Sequence, residues 1–98
     1  MGKLSAMTGP QLGGHCIKSA LQSISLDSKK VDEAILGNVL SAGVGQAPAR
    51  QAAILGGLPT STTCTTVNKV CSSGMKSIVF GSQSIQLGHS GVVVAGGF

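Results

Sequence analysis

The fold is decided by residues 62–88, TTCTTVNKVCSSGMKSIVFGSQSIQLG. Residues 62–69 are rich in Thr and Val, whose side chains favour a pleated, half-buried strand. After the small residues at 71–74 the apolar spacing becomes helical, and one face, expected to pack in the core, is formed by Met75, Ile78, Val79, Ser82 and Ile85. Gly88 then predicts the end of the helix, since glycine readily takes the left-handed conformation found there. The stretch therefore predicts a strand, a sharp turn and a helix, with Cys71 at the junction.

The position of Cys71 has chemical consequences. The first turn of a helix has backbone N–H groups without an intrahelical acceptor, and they carry the positive end of the helix dipole. Such groups favour the thiolate form of a cysteine and can receive the oxyanion of a carbonyl under attack. A lone cysteine is more commonly a small buried apolar side chain, and the junction alone favours that structural interpretation.

Three segments of the chain resemble the thiolase family, specifically its acetyl-CoA acetyltransferase branch. Residues 67–77, VNKVCSSGMKS, resemble the segment that carries the family's nucleophile. GNV at 37–39 with GQAPARQA at 45–52 resembles the segment upstream, and VVVAGG at 92–97 resembles the strand and loop downstream. The resemblance follows the family's order and spacing over nearly the whole chain. It implies that Cys71 is the nucleophile that accepts the acyl group.

The resemblance also implies a reaction. An acyltransferase of this kind moves an acetyl group between acetyl-CoA molecules, in acetoacetyl-CoA synthesis or thiolysis. The Cys71 thiolate would hold the acetyl group while CoA leaves, with its own N–H in the oxyanion site. Asn68, Ser72, Ser73 and Gly74 would shape the turn. Coenzyme A thioesters would be the substrates, without another cofactor or a metal, and the family's dimers and tetramers imply a homo-oligomer.

By the same resemblance, residues 1–98 are expected to form an incomplete thiolase N-terminal domain. The family's catalytic His and second Cys have no counterpart here, and His15 and His89 match neither. The resemblance also implies an absent first strand that would lie centrally, between strands at about 33–40 and 91–95. Because residues of one catalytic unit act together, the chain is expected to be inactive alone.

The rest of the chain alternates helices and strands. Thr8 and Gln11 form a capping-box pattern before a helix. Its predicted buried stripe consists of Leu12, Cys16, Ile17, Ala20, Leu21 and Ile24. A strand is predicted within 31–40, a helix over 47–55 and a strand over 92–95. The order αβαβαβ predicts an α/β fold with a mostly parallel sheet.

Composition and charge exclude several classes of protein. The 98 residues are 42% hydrophobic with 15 glycines, which suits an α/β core and not a disordered tail. The net charge of +4 comes from scattered basic residues without a basic run, so nucleic-acid binding is not predicted. No apolar run is long enough to span a bilayer. Three cysteines without a signal peptide favour a reducing compartment, and the resemblance implies a mitochondrial location, with the cytosol as the alternative.

Three alternatives to a thiolase enzyme stay open. A ketosynthase-like condensing enzyme also places a cysteine at a strand–helix junction, although Asn68, Lys69 and Gly74 favour thiolase. A non-catalytic module would instead pair its open strand edges with full-length thiolase subunits. A redox thiol at Cys71 is a third class.

Overall fold

Helices and strands alternate along residues 7–98, the part of the chain that its structure, a computed structural model, describes. The elements are α1 (Gly9–Ser23), a short 3-10 turn (Ser28–Lys30), β1 (Glu33–Gly37), α2 (Pro48–Leu55), β2 (Thr63–Val67), α3 (Ser73–Gln86) and β3 (Val93–Gly97). The predicted order αβαβαβ is confirmed. Within this part of the chain, none of the helices has the length and apolar character needed to cross a membrane.

The three strands form one parallel sheet in the order β2-β1-β3. Ala34 on β1 pairs with Cys64 on β2 and with Val94 on β3. The family resemblance implies an absent strand between β1 and β3, and that position is wrong, because the two strands pair directly over their whole length. Both edges of β1 are thereby hydrogen-bonded, as its buried backbone groups require. Among the described strands, the open edges belong to β2 and to the outer side of β3.

The sheet is covered by helices on both faces. Ala34 and Leu36 point to one face, where they join side chains of α1 and α2 in the main apolar cluster. The cluster consists of Ile17, Leu21, Val31, Ala34, Leu36, Ala49, Ala52, Ala53 and Leu58. Gly37 lies on the other face, where it contacts the first turn of α3. Because side chains alternate along a strand, each β1 residue directs its side chain to one of these two faces.

Helix α1 begins as predicted but buries only part of the predicted stripe, Ile17 and Leu21. The Gln11 N–H donates to Thr8 Oγ1 at 3.2 Å and the Thr8 N–H donates to Gln11 Oε1 at 2.8 Å, which confirms the capping box. The buried residues are Pro10, Gly13, Gly14, Ile17 and Leu21. Cys16 is exposed, so its predicted burial is wrong. A side chain at Gly14 would come within 2.8 Å of Leu55 Cβ, so the close approach of α1 to α2 selects glycine for the contact.

Helix α3 departs further from its predicted buried face. Its existence and its end at Gly88, where φ is +77°, are as predicted. Its apolar face, however, points outward, and Met75 is 73% exposed, so the prediction of a core methionine is wrong. The side that meets the sheet carries Ser73, Ser77, Gly81 and Ser84. Small residues there allow the helix backbone to approach the strands more closely than Ile or Met would permit.

We expect Gly37→Ala to destabilise the fold, because the added Cβ would lie 2.5 Å from the Ser73 carbonyl carbon and 2.7 Å from its Cβ. Overpacking of this kind costs about 1–3 kcal/mol or more in the free energy of unfolding. Urea unfolding followed by circular dichroism measures the change. The matched control is Gly96→Ala on β3, where an added Cβ meets nothing within 4 Å. Equal midpoints for the two variants would contradict the expectation.

Candidate active site

Cys71 lies in the turn that joins β2 to α3, one residue before Ser72, the N-cap of the helix. Its side chain is exposed and its thiol is free. The predicted arrangement of strand, turn and helix around this sulfur is what the structure shows. The thiol is therefore open to an approaching molecule.

A set of short hydrogen bonds fixes the backbone of this turn. Asn68 Oδ1 accepts from the Val70 N–H at 3.0 Å. The Ser73 hydroxyl accepts from the Lys69 N–H and donates to the Val70 carbonyl, both at 2.7 Å. The Ser72 N–H donates to the Lys69 carbonyl at 3.1 Å. Asn68 and Ser73 thus shape the turn through their side chains, whereas Ser72 makes no side-chain capping bond.

Val70 adopts a backbone conformation that its side chain disfavours. Its φ is +51°, in the left-handed region that a β-branched residue rarely enters. Strain of this kind persists only where neighbouring bonds over-determine the backbone, and it occurs often at functional sites. Here the strained residue immediately precedes Cys71.

The N-terminus of α3 is available to an anion. The first turn contains no acidic residue, and no side chain caps it. The ladder of the helix begins where the Lys76 N–H donates to the Ser72 carbonyl at 2.8 Å. The N–H groups of Gly74 and Met75 precede it and have no intrahelical acceptor. Together with the helix dipole, they can stabilise negative charge beside Cys71.

The turn lies at the carboxyl edge of the sheet, where open α/β sheets place their ligands. A Cβ placed on Gly97 would lie 3.3 Å from Gly74 Cα, so β3 ends directly against the first turn of α3. Asn38 follows β1, is only 4% exposed and donates from Nδ2 to the Phe98 carbonyl at 3.0 Å. No separate role was predicted for Asn38, and the available signal was a polar amide within the apolar predicted strand.

The other cysteines and the histidines lie elsewhere. Cys16 is exposed on α1, and Cys64 is half-buried on β2. Burial raises the pKa of the Cys64 thiol, and the nearby Arg50 guanidinium opposes this rise. His15 is on α1, across the sheet from α3, and His89 follows the far end of α3.

Cys71 stands on an open surface, apart from the cavity along α2. A cavity of about 510 Å³ runs along α2 and is lined by Gln46, Ala47, Arg50, Gln51, Ile54 and Leu55. None of these side chains is a nucleophile. The chemistry of the thiol and the geometry of the turn, not enclosure, therefore mark the candidate site.

We expect Cys64 to react with iodoacetamide only at higher pH than an exposed cysteine, because burial raises the pKa of its thiol and the thiolate is the reactive form. Arg50→Gln should shift the Cys64 profile to still higher pH, since the guanidinium lowers this pKa. Peptide mass spectrometry after alkylation across a pH series measures both effects, with exposed Cys16 as the internal reference. An unchanged Cys64 profile in Arg50→Gln would contradict the role assigned to Arg50.

Comparison with known proteins identifies a family that the chain matches. Residues 1–98 match the family model described as thiolase, N-terminal domain. The chain is 58% identical over 97 residues to a probable acetyl-CoA acetyltransferase of Dictyostelium discoideum, covering 99% of this chain and 23% of that protein. It is 54% identical to the cytosolic acetyl-CoA acetyltransferase ERG10 of Gibberella zeae and 50% identical to the mitochondrial acetyl-CoA acetyltransferase of Homo sapiens, each over 99% of this chain and 24% and 23% of those proteins.

A solved structure has the same fold. The Acat5 thiolase from Ascaris suum, crystallised in complex with coenzyme A, superposes with a TM-score of 0.93 at 46% identity. The superposition covers 98% of this chain and 25% of that one. The chain thus spans about a quarter of the length of the relatives it matches.

Proposed function

The chain belongs to the thiolase family, and from this premise we propose that it takes part in acetyl transfer between acetyl-CoA molecules, with Cys71 as the acyl acceptor. The observation that carries the proposal is an exposed, free thiol at the uncapped N-terminus of α3. Family membership favours thiolase chemistry over the ketosynthase-like alternative. From the family resemblance we propose the mitochondrion as the location and keep the cytosol as the alternative, since similar proteins are named as mitochondrial and as cytosolic.

The proposed first step is an exchange of thioesters. The Cys71 thiolate attacks the carbonyl carbon of acetyl-CoA, and a bond forms between Sγ and that carbon. The carbonyl oxygen becomes an oxyanion, which the Cys71 N–H and the first turn of α3 are placed to stabilise. The oxyanion collapses, the bond to the CoA sulfur breaks, and CoA leaves as a thiolate that takes up a proton. The acetyl group remains on Cys71.

The full reaction needs groups that these 98 residues do not match. In the family, a His activates the nucleophile, and a second Cys works as acid and base on the other substrate. His89 lies beyond the 14 residues of α3, which at 1.5 Å per residue places it roughly 20 Å from the turn. His15 lies across the sheet. We therefore propose that these residues support acylation of Cys71 but not turnover of acetoacetyl-CoA.

We expect the purified chain to gain one acetyl group on Cys71 when it is incubated with acetyl-CoA, because the thiol is exposed and the turn can stabilise the oxyanion. Peptide mass spectrometry locates the acetyl group, and Cys71→Ala should abolish it. The matched control is Cys16→Ala, which removes another exposed cysteine and should leave acetylation unchanged. Acetylation of Cys16 and Cys64 in place of Cys71 would refute the assignment, and turnover of acetoacetyl-CoA by the chain would refute its inactivity.

A second candidate function, association with another copy of the chain, is favoured by the outer face of α3. Its exposed large apolar residues are Met75, Ile78, Val79, Phe80 and Ile85. A patch of this kind on a chain with open strand edges is typical of a protein–protein contact. The proposal fits the homo-oligomer implied by the family resemblance.

For this second function we expect the chain to form dimers or larger oligomers, and Ile78→Glu to weaken them by burying a charge in the contact. Light scattering over a concentration series measures the mass. Gln22→Glu, which adds the same charge on exposed α1, is the control. A chain that stays monomeric at all concentrations would refute this candidate.

A further inference from the structure

Ser73 holds the backbone on the N-terminal side of Cys71 through one hydroxyl group. The residue is 4% exposed, so its hydrogen bonds are shielded from water. The hydroxyl accepts from the Lys69 N–H and donates to the Val70 carbonyl, each at 2.7 Å. The Ser73 N–H donates to the same carbonyl at 3.2 Å. The Val70 carbonyl is therefore held by two donors of one residue.

The direction of this carbonyl fixes the direction of the Cys71 N–H. Both groups belong to one peptide unit, which is planar and trans, so the N–H points opposite to the carbonyl. Ser73 draws the Val70 carbonyl towards the first turn of α3. The Cys71 N–H lies in the same peptide plane and consequently points in the opposite direction, away from Ser73. A rotation of this unit would move the N–H away while leaving the sulfur exposed.

The peptide unit needs such a restraint because Val70 is strained. Its φ of +51° is unfavourable for a β-branched side chain, so the turn would relax if its hydrogen bonds were lost. Asn68 restrains the other side of Val70, where its Oδ1 accepts from the Val70 N–H. Ser73 is thus the residue that opposes relaxation on the side of Cys71.

We propose that Ser73 is a positioning residue for acyl transfer, whose hydroxyl aims the Cys71 N–H at the oxyanion. The inference rests on the proposed function, since it concerns the same thiol. It predicts that one reaction of Cys71 is slowed while another is not. Acylation by a thioester passes through an oxyanion and needs the N–H, whereas alkylation by iodoacetamide displaces iodide and forms no oxyanion. Loss of the Ser73 hydroxyl should slow the first reaction of Cys71 and spare the second.

Ser77 supplies a matched control on the same helix. It is fully buried, and its hydroxyl also reaches two acceptors, the Gly74 carbonyl at 2.6 Å and the Gly96 carbonyl at 2.7 Å. Ser77→Ala therefore removes an equivalent hydroxyl without touching the Val70–Cys71 peptide. A purely structural role of Ser73 predicts similar effects of the two substitutions.

The experiment measures, for the purified chain, the rate of Cys71 acetylation by acetyl-CoA divided by its rate of alkylation by iodoacetamide. Ser73→Ala should lower this ratio about tenfold, less than the loss of a whole oxyanion donor. Ser77→Ala should leave the ratio unchanged. In a Val70→Asn background the loss should be smaller, because Asn enters the left-handed region more readily than Val.

Each outcome decides between the proposals. Equal ratios for Ser73→Ala and Ser77→Ala would overturn the positioning role while the acyl-acceptor function stands. If Cys71 of the unsubstituted chain is alkylated but never acetylated, the acyl-acceptor function itself is refuted, and this inference with it. Should Ser73→Ala unfold the chain, Val70→Asn/Ser73→Ala is compared with Val70→Asn/Ser77→Ala, and equal ratios there would also overturn the positioning role.

Discussion

The backbone contact between the first turn of α3 and the carboxyl end of β1 is the constraint on which the rest of the structure depends. A Cβ would not fit at Gly37, because it would lie only 2.5–2.7 Å from atoms of Ser73. Gly97 approaches Gly74 less closely at the end of β3, where an added Cβ would lie 3.3 Å from Gly74 Cα. This contact brings the N-terminus of the helix to the edge of the sheet. Cys71 precedes that N-terminus, so the contact also sets where the thiol stands.

The same contact determines which side of α3 is buried. A helix this close to a sheet can present only small side chains, and it uses Ser73, Ser77, Gly81 and Ser84. The hydroxyl groups must then find partners, and Ser84 donates to the Glu33 carboxylate at 2.6 Å. Within residues 7–98, every buried side-chain nitrogen and oxygen has a hydrogen-bond partner. This layer therefore contains satisfied polar groups at short range, while the larger apolar side chains of α3 face outward.

Local signals in the sequence predicted local structure well. The capping box at Thr8 and Gln11 and the left-handed Gly88 depend on residues close in the chain, and both were predictable. The exposed positions of Cys16 and Met75 were not, because apolar periodicity assumes that a helix buries its largest side chains. Here the separation of the backbones is small, so glycine and serine take the buried positions. The direct pairing of β1 with β3 also depends on tertiary packing and could not be derived from the order of the elements.

The candidate site shows a similar division between pattern and geometry. The strand-to-helix pattern and the family resemblance were enough to single out Cys71. The strain at Val70 and the two bonds of the Ser73 hydroxyl were not visible in the sequence, because they arise from one backbone angle. A peptide that hydrogen bonds already hold in place need not reorient when charge develops beside it. This preorganisation is the condition for electrostatic stabilisation of an oxyanion. In the proposed acyl transfer, the orientation of the peptide that precedes Cys71 matters as much as the sulfur itself.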